Sequence, residues 1–106
     1  MTVSINLRQP FNSMYALSFD MDIADLKAYY GEPYNGAYFE IKQTLVKHGF
    51  YWIQGSTYMT DADNLLNLFS AINALKAIEW FRKSIRDIRG YRVEEWSDFT
   101  QMVKEG

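Results

Sequence analysis

The chain alternates between large apolar residues and small or polar residues from Tyr15 to Met21. Because successive side chains of a strand point to opposite faces, this pattern predicts a strand with one apolar face and one small, polar face. Asp20 lies on the polar face near the end of that strand. Residues 1–13 are polar, include Pro10 and show no period. We therefore expect residues 1–13 to be an N-terminal extension outside the core and residues 14–106 to form a single domain.

Apolar residues at helical spacing predict two longer helices. The stripe of the first helix consists of Tyr38, Ile41, Leu45 and His48. Gly49 follows it and is expected to end the helix in a left-handed conformation. The stripe of the second and longest helix consists of Leu65, Leu68, Phe69, Ile72, Leu75 and Ile78. Its N-cap candidates are Thr60, Asp61 and Asp63.

Shorter helices are predicted in three other places. Residues 23–30 form one candidate, with Asp22 as its N-cap, and Ser97 can cap another near the C-terminus. The segment from Trp80 to Ile85 either extends the longest helix or forms a separate turn.

The remaining strands are predicted from aromatic and β-branched residues. Residues 50–54 and 56–59 form two of them, and Gly55 between them permits a tight reversal or a bulge. Residues 88–95 form the last strand. Its alternation is interrupted at residues 89–90, where we expect a bulge.

The predicted order is strand, helix, strand, strand, helix, strand, with short helices added. This order is typical of the ferredoxin-like α+β fold, a four-stranded antiparallel sheet with its helices on one face. The other face of the sheet is then open for a ligand, a partner or a second copy of the chain.

Composition narrows the class of protein. With 106 residues, 48% of them hydrophobic, the chain can bury one core. Seven Phe, eight Tyr and three Trp are more aromatic residues than a small interior needs, which favours a homodimer interface. The absence of Cys excludes disulfides, thiolate metal sites and Cys nucleophiles. We find neither a membrane-spanning run nor a secretory signal, so we expect a cytoplasmic protein.

The charge is uneven along the chain. The net charge is −2, yet five of the eleven basic residues lie between positions 82 and 92, namely Arg82, Lys83, Arg86, Arg89 and Arg92. This clustering indicates a local anion site, with phosphate as the expected anion, although a solvated charged face is the usual explanation of such a run. If residues 80–85 are helical, Arg82 and Arg86 share one face. Asp87 can then orient one of the guanidinium groups.

Two carboxylates at the end of the first strand could bind a cation or act in catalysis. Asp20 and Asp22 lie two residues apart, so they can converge on a hard cation such as Mg²⁺. Asp20 alone can instead act as a general base. The structural alternative is that one of the two merely caps the next helix.

The segment Gln54-Gly55-Ser56-Thr57-Tyr58 offers a second candidate site. Its glycine permits close approach of a phosphate, with amide and hydroxyl donors beside it. Taken alone, the segment is more simply explained by ordinary turn chemistry with a bulge. The single histidine, His48, is most simply a favourable charge at a helix C-terminus, since a pair of catalytic histidines is impossible within one chain.

Several motifs together resemble the virulence-associated protein D (VapD) family, from Met14 to about Val103. The motifs are Met14-Tyr15-Ala16-Leu17-Ser18-Phe19-Asp20, Gly31-Glu32-Pro33-Tyr34-Asn35, Gly49-Phe50 with Gln54-Gly55-Ser56-x-Tyr58, Ala71-Ile72-Asn73-Ala74-Leu75, Ser84-Ile85-Arg86-Asp87-Ile88-Arg89 and Glu95-Trp96-Ser97-Asp98-Phe99-Thr100. The family begins at the equivalent of Met14, so nothing transfers to residues 1–13.

The resemblance implies a ferredoxin-like homodimer with endoribonuclease activity, similar in fold to the small nuclease of CRISPR adaptation complexes. It also implies a toxin paired with a small antitoxin protein. Asp20 is the implied catalytic residue, with Ser56 as the second candidate. Other site residues are predicted from charge and from their expected exposure. Arg86 and Arg89 are expected to contact the phosphate, and Gln54 is expected to donate a hydrogen bond to the RNA. Tyr58 or Tyr91 is expected to stack on an unpaired base. The alternative is a non-catalytic module that binds RNA or protein through the open sheet face.

Overall fold

The computed structural model describes residues 6–7, 14–62 and 64–106. Their elements, in chain order, are β1 (Asn6–Leu7), β2 (Met14–Met21), α1 (Ile23–Tyr29), α2 (Asn35–Lys47), β3 (Tyr51–Gln54), β4 (Thr57–Thr60), α3 (Leu65–Lys76), α4 (Glu79–Ser84), β5 (Ile85–Val93), β6 (Ser97–Asp98) and α5 (Thr100–Glu105).

The main sheet has four strands in the order β3-β4-β2-β5, and each neighbouring pair is antiparallel. The first and last of these strands along the chain, β2 and β5, therefore lie side by side, and the β3–β4 hairpin adds to the other edge of β2. This topology confirms the predicted ferredoxin-like α+β fold.

One face of the sheet packs against the helices and forms the main core. β2 contributes Leu17, Phe19 and Met21 to this core, as the alternation predicted. The helices contribute buried residues at helical spacing, which are Ala37, Ile41 and Leu45 on α2 and Leu68, Ala71 and Leu75 on α3. The apolar face of β2 thus fixes which side of the sheet the helices cover.

The opposite face of the sheet is apolar at one end and polar at the other. A small second cluster of buried residues lies at the apolar end and consists of Met14, Ala16 and Met59. Tyr51, Ile53, Val93 and Trp96 pack against it. At the other end of β2 this face carries Ser18, which is half-buried, and Asp20, which is exposed.

The bulge predicted at residues 89–90 is wrong. β5 pairs with β2 in continuous register through Arg89 and Gly90, and the register shifts instead between Asp20 and Met21. Gly90 has a different reason to be glycine, since an added Cβ there would lie 2.9 Å from a methyl carbon of Leu68. The glycine allows α3 to pack closely on β5.

The cap of α3 also differs from the prediction. Asn64 is its N-cap, and its side chain accepts a hydrogen bond from the Leu66 amide at 2.8 Å. Thr60 instead ends β4 in a buried position, while Asp61 accepts a hydrogen bond from the Tyr51 hydroxyl at 2.9 Å. The third candidate, Asp63, lies outside the described residues.

Two further expectations near the C-terminus are corrected. The segment after α3 forms a separate helix, α4, and β5 begins at Ile85, so Arg82 and Arg86 belong to different elements and share no helix face. Ser97 lies in β6, and the side chain of Asp98 accepts the hydrogen bond from the Thr100 amide at the start of α5.

Part of the N-terminal extension is described. Asn6 and Leu7 pair with Asp98 and Ser97 in a two-stranded antiparallel sheet of their own, while the rest of residues 1–13 lies outside the described residues. Within the part of the chain that the structure describes, no helix is both long and apolar enough to cross a membrane.

The end of α2 provides a test of the fold. Gly49 has φ of 82°, in the left-handed region, and the Phe50 amide then bonds back to the Leu45 carbonyl at 3.0 Å. We expect Gly49→Ala to lower the free energy of unfolding by about 1 kcal/mol, because a Cβ disfavours this conformation. Urea unfolding measures the change. Gly49→Asn is the control, since Asn tolerates the conformation better, and equal stability of all three proteins would contradict the assignment.

Candidate active site at the β2–β5 bulge

A β-bulge places Arg86 next to two carboxylates. Asp20 pairs with Asp87 and Met21 pairs with Ile85, so Arg86 is the extra residue of β5. In a regular strand Arg86 and Asp87 would point to opposite faces. At the bulge, the Arg86 guanidinium instead lies 3.6 Å from an Asp20 carboxylate oxygen and 3.2 Å from one of Asp22. Bulges commonly redirect a side chain in this way beside active sites.

Asp22 has a structural role in this arrangement. Its side chain accepts a hydrogen bond from the Asp25 amide at 2.9 Å and caps α1. Of the two predicted roles for Asp22, metal ligand or helix cap, the structure shows the cap. Its own amide donates to the Ser84 carbonyl at 2.8 Å, which ties the start of α1 to the start of β5. The hydrogen bond from the Asp25 amide and the contact with Arg86 lower the pKa of Asp22. An ionised Asp22 thus stabilises the fold at neutral pH, and this contribution is lost as the pH falls through the lowered pKa.

Asp20 faces solvent, with 62% of its side chain exposed, and lies directly opposite Asp87 on the open face. Directly paired residues of an antiparallel sheet have their Cβ atoms about 4.5–5.5 Å apart, so two carboxylates at this spacing repel. Each has a cation beside it. Arg86 lies near Asp20, and Nε of Arg89 contacts the two Asp87 oxygens at 3.0 and 3.3 Å. The expectation that Asp87 orients a guanidinium is therefore confirmed, with Arg89 as its partner.

These ion pairs are weak. The Arg86 side chain is 61% exposed and that of Arg89 is 76% exposed. Ion pairs at such exposure typically contribute only ~0–1 kcal/mol. A phosphate group offers a guanidinium more oxygens and more charge than one carboxylate does. The pairs therefore hold the Arg86 guanidinium beside Asp20 and the Arg89 guanidinium beside Asp87 only weakly.

The other cations of the run lie elsewhere. Arg82 donates to the Lys76 carbonyl at 2.9 Å, and Lys83 pairs with Glu79 on the same helix at 2.9 Å. Arg92 pairs with Tyr15, on the helix-facing side of the sheet. The predicted single cationic surface is thus divided among α4 and both sides of β5, and Arg86 and Arg89 are the members of the run that lie beside Asp20 and Asp87.

The turn between β3 and β4 contains the Gln-Gly-Ser motif. Gly55 has φ of 50°, as a tight reversal requires. The Ser56 carbonyl accepts a hydrogen bond from the Phe19 amide at 3.2 Å, and Ser56 is half-buried. This bond places Ser56 opposite a core residue of β2. A catalytic role for Ser56 stays a prediction.

Tyr58 was expected to be an exposed residue that stacks on a base, and this is wrong. Only 4% of Tyr58 is exposed, and its ring stacks on Phe19 with centroids 6.2 Å apart. Burial raises the pKa of its hydroxyl. Tyr91, the other aromatic candidate, lies opposite Ala16 on the open face and is 44% exposed. Of the two aromatic candidates, Tyr91 is therefore the one that is exposed on this face.

Strand register brings together polar residues that are distant in sequence. Gln54 pairs with Thr57, Thr57 pairs with Ser18, and Ser18 pairs with Arg89. Paired residues share a face of the sheet, so these four side chains form one row across it, which we call the polar row. Thr57 was not singled out from the sequence, and Ser18 was noted only as a small polar residue. The alternation of β2 indicated the face of Ser18, but no local pattern indicates its neighbours.

Two further titratable residues, Tyr38 and His48, lie in α2 and at its end. His48 ends α2, and its Nδ1 lies 2.9 Å from the Thr44 carbonyl, in keeping with a structural role at a helix end. Tyr38 on α2 has a raised pKa because of burial first, and because of the charges of Tyr34 and Asp20. Tyr38 is therefore protonated at neutral pH.

Asp20 and Asp22 are the two carboxylates that the sequence offered as ligands of Mg²⁺. In the described part of the chain, no group of three or more His, Asp or Glu side chains is arranged to hold a metal ion. Asp20 and Asp22 both contact Arg86 rather than facing a common empty centre. Since Mg²⁺ is often bound by one or two carboxylates together with substrate phosphates, exposed Asp20 fits such a role better than Asp22, which is occupied as a cap.

Comparison with known proteins identifies relatives over most of the chain. It is 55% identical over 91 residues to Endoribonuclease VapD of Dichelobacter nodosus, covering 86% of this chain and 98% of the relative. It is 53% identical to Endoribonuclease VapD of Helicobacter pylori and 42% identical to that of Haemophilus influenzae, each covering 86% of this chain and 99% of the relative. No family model matches the chain. Identity at this level over almost the whole length of these relatives confirms the resemblance, and the chain belongs to the VapD family.

Proposed function

We propose that this protein is an endoribonuclease that cleaves phosphodiester bonds within RNA strands. The observation that carries the proposal is the bulge at Arg86, which brings a guanidinium group beside the exposed Asp20. The names of its relatives support the reaction class, since proteins up to 55% identical are called endoribonucleases.

Asp20 is the proposed catalytic carboxylate. It takes the proton from the oxygen that attacks the phosphorus atom, and the leaving oxygen takes a proton from solvent. Arg86 and Arg89 leave their weak carboxylate pairs and neutralise the charge that develops on the phosphate. Ser56 and Gln54 are proposed to donate hydrogen bonds to the substrate, and Tyr91 stacks on an unpaired base. If Mg²⁺ takes part, Asp20 would hold it and the ion would offset phosphate charge.

The active unit is proposed to be a homodimer in which two copies of Asp20 flank one scissile phosphate at the two-fold axis. The supporting observations are the exposure of Asp20 at the end of the open sheet face and the large number of aromatic residues. As a VapD protein, the chain is further proposed to be the toxin of a toxin–antitoxin pair and to be inhibited by a small antitoxin protein.

The first test of this proposal is Asp20→Asn. We expect the cleavage rate of labelled single-stranded RNA to fall by about 10²–10⁴-fold, because the substitution removes the proton acceptor. The melting temperature should not change, because Asp20 is exposed and makes only a weak ion pair. A gel with and without EDTA measures cleavage. Loss of products in EDTA indicates a metal, whereas unchanged products indicate acid–base chemistry.

Two other outcomes of that gel would contradict the proposal. Retained cleavage by Asp20→Asn, in a nuclease-free preparation, would remove Asp20 from the mechanism. Retarded RNA without products from the wild-type protein would instead support the non-catalytic binding module.

The role of Arg86 is tested by Arg86→Gln beside Arg82→Gln. Both substitutions remove one positive charge, but Arg82 lies on α4 and bonds to the Lys76 carbonyl, away from Asp20. We expect Arg86→Gln to reduce kcat by about 10²–10³-fold, because a donor to the developing charge is lost. Arg82→Gln should change kcat less than about threefold, since an exposed charge that does not contact Asp20 is largely screened. Equal effects would show that only net charge matters.

The oligomeric state is tested by sedimentation equilibrium. We expect a particle of twice the mass of one chain at micromolar concentration, for wild type and for Asp20→Asn alike. An active monomer would contradict a site shared between two copies of Asp20, while leaving a site within one chain intact.

A further inference from the structure

The polar row lies directly beside the proposed catalytic carboxylate. It has one side chain on each strand of the sheet, in the order Gln54, Thr57, Ser18 and Arg89. Neighbouring strands are about 4.8 Å apart, so the row extends for about 14 Å across the sheet. Asp20 and Asp87 occupy the next position along β2 and β5 on the same face, which is about 7 Å further along the strands.

The hydroxyl groups of Ser18 and Thr57 in the polar row can form hydrogen bonds with a ligand. Ser18 and Thr57 are both half-buried, and no hydrogen bond between described residues uses either side chain. A hydroxyl can donate one hydrogen bond and accept others. It therefore suits a ligand group that is itself both donor and acceptor, such as the 2′-hydroxyl of ribose.

The surroundings of the row match the parts of a nucleotide. On one side lie the charged groups of Asp20, Arg86 and Asp87, which suit a phosphate. On the other side lies Tyr91, half-exposed, opposite Ala16 on the same face. Along β2 and β5 the charged side chains therefore come first, the hydroxyl side chains next and the aromatic side chain last. This order matches the phosphate, the ribose and the unpaired base of a nucleotide in single-stranded RNA.

We propose that Ser18 and Thr57 form a subsite that binds the ribose 2′-hydroxyl of single-stranded RNA next to the scissile phosphate. The subsite distinguishes RNA from DNA by binding, independently of the chemical step. This inference rests on the proposed function for its ligand class, but it assigns residues that neither the family resemblance nor the charge pattern indicated.

The test separates binding from cleavage by using the Asp20→Asn protein as the background. Fluorescence anisotropy measures the Kd for a single-stranded RNA and for the DNA of the same sequence. We expect Ser18→Ala and Thr57→Val each to weaken RNA binding by about fivefold, the value for one neutral hydrogen bond, and to change DNA binding less than twofold. Ser70→Ala, on the exposed surface of α3, is the matched control and should change neither Kd.

Further readouts exclude a general structural effect. Thr57→Ser keeps the hydroxyl and should retain the RNA affinity that Thr57→Val loses. The dependence of the RNA Kd on salt should be the same for Ser18→Ala as for the background, since no phosphate contact is removed. Arg89→Gln, by contrast, should reduce that slope by about one, as expected for a phosphate contact.

The outcomes decide between the two hypotheses. Equal losses for RNA and DNA would show that the hydroxyls do not contact the 2′-hydroxyl, and unchanged RNA binding would show that they make no contact; either overturns the subsite. Suppose that the wild-type protein cleaves RNA while substitution of Ser18 or Thr57 leaves the ratio of the RNA and DNA Kd values unchanged. In that case only the subsite is wrong. If a protein with the expected ratio binds RNA but never cleaves it, only the endoribonuclease proposal is wrong.

Discussion

The pairing of β2 with β5 is the constraint on which the site depends. It joins the first and last strands of the sheet, and its single register shift leaves Arg86 as the extra residue. Without that shift, Arg86 would point to the face opposite Asp87, toward the helices. The same pairing sets Asp20 opposite Asp87 and Ser18 opposite Arg89. A one-residue change of register would separate all of these groups, so the candidate site depends on the backbone hydrogen bonds between β2 and β5.

The main core and the candidate site lie on opposite faces of the same strand, β2. Leu17, Phe19 and Met21 of β2 are buried against the helices and contribute to the main core. Ser18 and Asp20 lie between them in sequence and point to the other face. Burial of a large apolar side chain contributes about 1.5–3 kcal/mol, whereas an exposed ion pair contributes about 0–1 kcal/mol. Most of the stability is therefore expected to come from the face away from the site, and we expect exposed side chains such as Asp20 to be replaceable without loss of the fold.

The features that were predicted correctly from the sequence are those set by residues near one another in the chain. The predictions that failed concern features set by contacts between distant segments. The alternation of β2, the left-handed Gly49 and the Asp22 cap are set by neighbours within four residues. The bulge was misplaced because Gly90 reflects the approach of Leu68 rather than an interrupted ladder. Tyr58 was taken as exposed because polarity and aromaticity do not reveal which face of β4 meets Phe19. The cap of α3 was misassigned because several polar residues precede it, and only the backbone geometry selects Asn64.

In the proposed site each cation is paired with a carboxylate, and this pairing limits how such a site can select a substrate. The chain has a net charge of −2, and Arg86 and Arg89 are each in contact with Asp side chains. Such a site has little long-range attraction for polyanions, so we expect nonspecific binding of nucleic acid to be weak at physiological salt. A phosphate must reach the site closely enough to displace the carboxylates before the guanidinium groups contribute to binding. On the proposed function, short-range contacts such as hydrogen bonds to hydroxyl groups and stacking on Tyr91 then have to supply the selectivity that charge does not.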